Sequence, residues 1–399
     1  MTPGGRISAA IEILDDIIAG APAERALTRW ARASRFAGSK DRAAVRDHVF
    51  DVLRKRRSCL WLSGQAHETG RALMIGLLAG EGADAGAAFS GEGHGPARLS
   101  DAEVAALRPD ISQAPAAVRA DVPAQIEDLL YRELGEGCDR AMQAQRSRAP
   151  VDLRVNTLKA DLTTAQRLLA VESIETVAID GVPTGLRIRT NPRKLAQCRA
   201  YLYGFVELQD AASQFVSRAV QVKPGQRVLD LCAGGGGKTL ALGAQMAGEG
   251  YLAAYDINPR RMKDLPTRAA RAGLQVEVLD TADLDRQIGT YDVVLVDAPC
   301  SGSGAWRRNP DAKWRLTQED LHRLTATQDD VLRRAAELVH DAGKVVYTTC
   351  SILPCENAAP VATFLSTREN FGVQDEISLL PGEVGDGFYF CQLAHCPKS

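Results

Sequence analysis

Between Lys223 and the end of the chain, five apolar runs alternate with helical patterns: RVLDLC, YLAAYD, LQVEVLD, YDVVLVDA and GKVVYTT. No other feature narrows the fold as far. Short β-branched runs separated by helix-length segments pair as parallel strands through crossover helices, which predicts a doubly wound α/β sheet over residues 221–399. Ligands bind such sheets outside the carboxyl ends of the strands. The residues that close each run are therefore the candidates for chemistry.

The first run leads into CAGGGGKT, so Gly234, Gly235, Gly236 and Gly237 follow a buried strand and open a helix. Four glycines let the backbone approach a ligand closely. Two familiar loops fail by position. A P-loop needs Gly six residues before its Lys, where Cys232 stands; a G-x-G-x-x-G loop needs Gly at 239 or 240, which are Thr239 and Leu240. For any single glycine a structural turn remains open. Asp256 closes the next strand, where a carboxylate can bind both hydroxyls of a ribose. Asp280 and Asp297 close the two after it. Each acid alone reads equally as a helix cap or a turn residue. Together with the glycine loop they make the pattern of an S-adenosylmethionine site, where acids bind ribose and adenine and favour the cationic sulfonium.

Cysteine adds a second theme. Cys300 follows the fourth run in DAPCSGSG, and Cys350 sits just past the fifth in TTCSILPCEN. The chain has nine cysteines, an odd number with no CxxC pair, which fits reduced thiols in a cytoplasm better than disulfides or a zinc site. A free cysteine is most often a small buried hydrophobe. That reading suffices for Cys59, Cys138, Cys198, Cys391 and Cys396, and Cys355 reads as a turn residue. Two thiols at two strand ends ask for another explanation.

Upstream the texture differs. Apolar residues at Ile7, Ile11, Leu14 and Ile17, and at Val45, Val49 and Val52, recur at steps of three and four, so residues 1–140 read as an all-helical domain. VDLRVNT, TVAIDG and GLRIRT read as short strands around the helix LTTAQRLLAVE, making 146–220 a small α+β connecting domain. No window is long and apolar enough for a membrane span, and nothing resembles a secretory leader. Net charge is −2, yet Glu24 to Arg57 carries eleven Lys/Arg against four acids, densest at Arg54-Lys55-Arg56-Arg57. Such a patch can hold RNA phosphates, although a solvated helix face looks the same.

VLDLCAGGGGKT, DAPCSGSG, WRRNPDAKW, TTCSILPCEN and the closing GDGFYFCQL resemble the RNA 5-methylcytosine methyltransferases of the Nol/Nop/Sun family. Within them they are most similar to the Fmu/Sun group, the bacterial 16S ribosomal RNA methyltransferase B type. The resemblance runs from about 146 to 395 and is weaker before 140, where the family carries a domain like the antitermination factor NusB. It implies a class I Rossmann-like methyltransferase domain with S-adenosylmethionine as cofactor. It implies catalysis by Cys350 as nucleophile on cytosine C6, with Cys300 assisting product release, Asp297 contacting base or cofactor, and Lys238 lowering a thiolate pKa or holding the base edge. The cofactor would be held by Cys232, Ala233, Gly234, Gly235, Gly236, Gly237, Lys238, Asp256, Arg261, Asp280 and Asp297. Arg307, Arg308 and Lys313 would meet RNA near the active site. The partner would be 16S ribosomal RNA or a small-subunit assembly intermediate, and the chain a monomer.

Two departures stand out. Gly234-Gly235 replace the family's Ala/Ser-Pro pair, and Pro266 interrupts a helix the family leaves uninterrupted. The alternatives are the same chemistry on transfer RNA, or a non-catalytic RNA-binding or ribosome-assembly factor, which only the altered glycine loop favours.

Overall fold

The computed structural model describes residues 1–108, 110–382 and 384–396. The chain divides into two compact units, residues 1–148 with 306–317, and residues 149–305 with 318–399.

The first unit is helical. Its longer helices are Pro3–Ile18, Ala23–Ala33, Ser39–Arg54, Arg56–Ser63 and Gly70–Gly80. The three-four spacing turns Ile7, Ala10, Ile13, Leu14 and Ile17 inward against Val45, Val49, Leu73 and Met74. Gly76 lets two helices touch: a Cβ there would lie 1.7 Å from the Cys59 carbonyl oxygen. By sequence, residues 306–317 fall within the expected α/β domain, but this segment packs into the helical unit. Trp314 Nε1 donates to the Leu53 carbonyl at 2.6 Å, and Arg54 Nε donates to the Arg307 carbonyl at 2.9 Å.

The second unit holds both sheets. Four short strands, β1 (Asp152–Val155), β2 (Thr176–Ile179), β3 (Val182–Ile188) and β4 (Val206–Leu208), pair antiparallel in the order β2-β3-β1-β4. The helix Leu162–Val171 closes their core through Ala165 and Leu169. A seven-stranded sheet follows: β5 (Arg227–Asp230), β6 (Tyr251–Ala254), β7 (Glu277–Val278), β8 (Tyr291–Asp297), β9 (Val339–Thr349), β10 (Phe371–Leu379) and β11 (Phe388–His395). Their order is β10-β11-β9-β8-β5-β6-β7. β5 to β9 run parallel, and β11 lies antiparallel to β9 and β10.

Two details bear on the site. The chain builds outward from β5 through β6 and β7, then returns to β5's other side with β8 and β9. The order therefore reverses between β5 and β8, and the crevice at their carboxyl ends is where ligands bind in such folds. Pro266 does not break a helix. A 3₁₀ turn, Pro259–Met262, ends before it, and a new helix, Leu265–Ala272, begins with Pro266 in its first turn, where a missing N–H leaves no hydrogen bond unmade.

Candidate active site

β5 ends at Asp230, and the chain turns through Leu231–Gly236 into the helix Gly237–Gln245. Gly234 and Gly236 take left-handed φ values of 52° and 82°, which side chains resist. A Cβ on Gly236 would also sit 2.2 Å from the Leu265 side chain, whereas one on Gly237 would meet open space. The loop is braced from outside by two arginines. Arg268 donates to the Gly235 carbonyl, and buried Arg154 donates to the Gly237 carbonyl at 2.8 Å.

Asp256 is buried beside this loop. One of its oxygens accepts from the Gly234 N–H at 3.0 Å and faces Arg261 Nη1 at 3.0 Å; the other accepts from the Asn258 N–H at 2.9 Å. Asp256, Gly234 and Arg261 thus form one cluster. Cys232 and Ala233 run into the loop, and burial pushes the Cys232 thiol well above its usual pKa. Asp280 is spent differently: it is exposed and accepts the Asp283 N–H at 2.8 Å as a helix cap.

On the other side of the switch point stands an ion pair. Lys238 Nζ lies 2.8 Å from Asp297 Oδ2 and 5.0 Å from the centre of the Phe388 ring. Burial alone would lower the lysine pKa, but Asp297, with Cys350 and Asp230 nearby, outweighs it and holds the ammonium above its ordinary value. β8 and β9 are adjacent and parallel, so the residues just past their ends meet. Cys300 Sγ and Cys350 Sγ are 3.4 Å apart. The hydrogen bond to Cys350, then burial and the nearby charge of Glu356, raise the Cys300 pKa well above a free thiol.

Four residues of the site lie outside what the sequence suggests. Asp230 is fully buried and its carboxyl is pushed up to about 7, mainly by desolvation. Arg154 belongs to the small sheet. Ile257, next to Asp256, is 81% exposed, and an uncovered large apolar side chain beside a ligand loop is itself a signal. Glu356 stands fully buried between the two cysteine loops.

The basic residues are a correction. Lys313 is buried in the helical unit, donating to the Asp121 carbonyl at 3.0 Å, and Arg307 is buried there too. Neither is available to RNA, whereas Arg308 is exposed. The run Arg54-Lys55-Arg56-Arg57 faces acids of its own unit instead: Asp51 at 2.9 Å, Glu81 at 3.6 Å, Glu68 at 2.6 Å and Glu127 at 2.6 Å. Arg25, Arg32, Arg35, Lys40 and Arg42 remain exposed. Among the described residues no helix is long and apolar enough to cross a membrane.

The same regions match known proteins. Residues 218–394 match the family described as 16S rRNA methyltransferase RsmB/F, and residues 115–193 match the RsmF/B-like ferredoxin-like domain. The ribosomal RNA small subunit methyltransferase B of Klebsiella pneumoniae is 33% identical over 63% of this chain and 61% of its own length. The probable methyltransferase B of Synechocystis is 31% identical over 62% of this chain and 57% of its own. The chain thus spans about six tenths of the length of these relatives. The crystal structure of PH0851 superposes with a TM-score of 0.74 at 22% identity, covering 99% of each chain, which shows a shared fold.

Proposed function

Since the chain belongs to the RsmB/F methyltransferase family, we propose that it methylates C5 of a cytidine in 16S ribosomal RNA, with Cys350 as nucleophile. One observation carries the reading: two thiols fifty residues apart in sequence end neighbouring parallel strands with their sulfurs 3.4 Å apart. C5 of cytosine is a weak nucleophile. A thiolate that adds to C6 makes C5 enamine-like and able to take a methyl group from the sulfonium, whose C–S bond breaks to leave a neutral thioether; the C5 proton then passes to water or another base, and the S–C6 bond breaks to expel the thiolate. Cys350 is the nucleophile by its match to the family motif, while the contact with Cys350, burial and Glu356 hold the Cys300 proton more tightly than in a free thiol. Cys300 stands where it can hand that proton to the departing Cys350 sulfur. Asp297, held by Lys238 at 2.8 Å, would contact the base or the cofactor.

The residues at the switch point fit S-adenosylmethionine, the cofactor of this family, which supplies an electrophilic methyl on a cationic sulfur. Gly237 opens on free space, Asp256 offers a buried carboxylate at the ribose position, and Ile257 offers an apolar face for the adenine. Asp230 Oδ1 is buried without a hydrogen-bond partner among the described residues, an uncommon state for a carboxylate and one that a nearby cation would relieve. Asp280 can serve the adenine only through whatever its capping role leaves free. The exposed arginines of the helical unit favour an RNA backbone as its partner. Cysteines that are all free of disulfides suit a cytoplasmic site of action.

The test is tritium transfer from labelled S-adenosylmethionine to RNA of a strain lacking this gene, with bisulfite sequencing of the product. Label at one 16S cytidine is expected. Label confined to transfer RNA would keep the chemistry and change the substrate; no label in any RNA would overturn the proposal.

A further inference from the structure

The two thiols sit on separate loops, and nothing in β8 or β9 alone fixes the gap between them. The loops are joined directly by the Gly304 N–H donating to the Cys350 carbonyl at 2.9 Å, and by the Ser303 and Ser351 hydroxyls at 2.8 Å. Beneath both lies the Glu356 side chain, fully buried. It accepts from the Ser301 N–H at 2.7 Å and from the Ser301 hydroxyl on the first loop. It accepts from the Ser351 hydroxyl at 2.6 Å on the second, and from Gln328 Nε2 at 3.3 Å. Gln328 Nε2 in turn donates to the Pro299 carbonyl at 2.8 Å, just before Cys300.

We propose that Glu356 is a positioning residue, tying the Cys300 loop to the Cys350 loop and so setting the distance between the two thiols. A buried carboxylate is stable only where donors surround it, and here the donors come from the residues next to each cysteine. Both of its oxygens are engaged by these donors, so the side chain is held in one orientation. Charge-assisted hydrogen bonds are short and directional, which is what fixing two loops to a fraction of an ångström requires. Its negative charge also adds to the Cys350 contact and burial that raise the Cys300 pKa. The consequence for turnover rests on the proposed function; the geometric claim does not.

The test reads the thiols directly. Diamide oxidises two adjacent thiols to a disulfide, taking their two electrons and two protons to become the hydrazine. In the full-length protein, with no RNA or cofactor present, the wild type is expected to form a Cys300–Cys350 disulfide rapidly, as mapped by peptide mass. Glu356→Ala should slow that step at least tenfold, and Glu356→Gln, which keeps one acceptor oxygen, should restore part of the rate. If Glu356→Ala does not fold, the double variant Ser301→Ala, Ser351→Ala removes two of the donors and should slow the step about threefold. An unchanged disulfide rate in Glu356→Gln and in the serine double variant would overturn the proposal. In methyl-transfer assays Glu356→Gln should lower kcat at least tenfold while KM for S-adenosylmethionine stays within twofold. A failure of methyl transfer in the wild type would count against the proposed function and leave the thiol result standing.

Discussion

The Thr239 hydroxyl donates to buried Asp230 at 2.6 Å, while the other oxygen of that carboxylate has no partner among the described residues. The two residues face each other across the glycine loop, one closing β5 and one in the first turn of the helix that follows. A carboxyl in this state resists ionisation, and its pKa is about 7 against roughly 3.9 in an unfolded chain. The raised value means that the folded form binds the extra proton between those limits. Asp230 therefore costs nothing below about pH 4, and its penalty grows as pH rises to about 7 and then stays. Asp230→Asn should stabilise the cofactor-free protein at pH 8 by about 1–4 kcal/mol and leave it unchanged near pH 4, read by urea unfolding. A stability difference that does not change with pH would contradict this. A cationic ligand nearby favours the ionised form, so S-adenosylmethionine should bind more tightly at pH 8 than at pH 6.

The glycine loop carries a second prediction. The family's Ala/Ser-Pro pair would fall on Gly234-Gly235, but Gly234 is left-handed here, and a residue before proline avoids that conformation. Gly234→Ala should destabilise the protein by about 1–2 kcal/mol, the penalty for a side chain in left-handed backbone. The same change should weaken cofactor binding, because relaxing the backbone at position 234 out of its left-handed conformation would shift the N–H that donates to Asp256. Calorimetric titration and thermal unfolding measure both; a neutral or stabilising result would mean that the loop relaxes freely to the family's form.

RNA binding should depend on arginines outside the densest basic run. Replacing Arg25, Arg32 and Arg35 by Ala should weaken RNA binding at every sequence tested. It should also flatten the dependence of log affinity on log salt by about 0.7–0.9 for each phosphate no longer neutralised. Arg56→Ala removes a partner of Glu68, so it should lower stability and leave that slope alone. The opposite pattern would move the RNA face to the 54–57 run.

These predictions draw on features of unequal visibility in the sequence. The glycine loop, Asp256, Asp297 and both cysteines are legible because each closes an apolar run, and a parallel sheet brings run ends to one edge whatever the details of packing. The hairpin of β10 and β11 is not among the five runs. β10 carries Gln374, Asp375 and Glu376 at the sheet's edge and shows little apolar signal. Glu356 carries no signal of its own in the sequence, since its partners at Ser301 and Gln328 are 55 and 28 residues away. The basic run misleads for the same reason. Arg56 and Arg57 find Glu68 and Glu127, 12 and 70 residues on, and local charge density cannot show such neutralisation. Trp306–Thr317 lies between two strands of the α/β sheet in sequence, yet its Trp314 and Lys313 are committed to the helical unit.

The central claim is the division of labour between the thiols, and one variant tests it. On the proposed mechanism, Cys300→Ala leaves Cys350 able to add to the base and removes the group that would assist its departure. Incubated with S-adenosylmethionine and its RNA, this variant should accumulate a covalent protein–RNA band that resists denaturant, with peptide mapping locating the nucleotide on Cys350. The band should vanish in the Cys300→Ala, Cys350→Ala double variant. Normal turnover by Cys300→Ala with no such band, or an adduct on any other residue, would contradict the account.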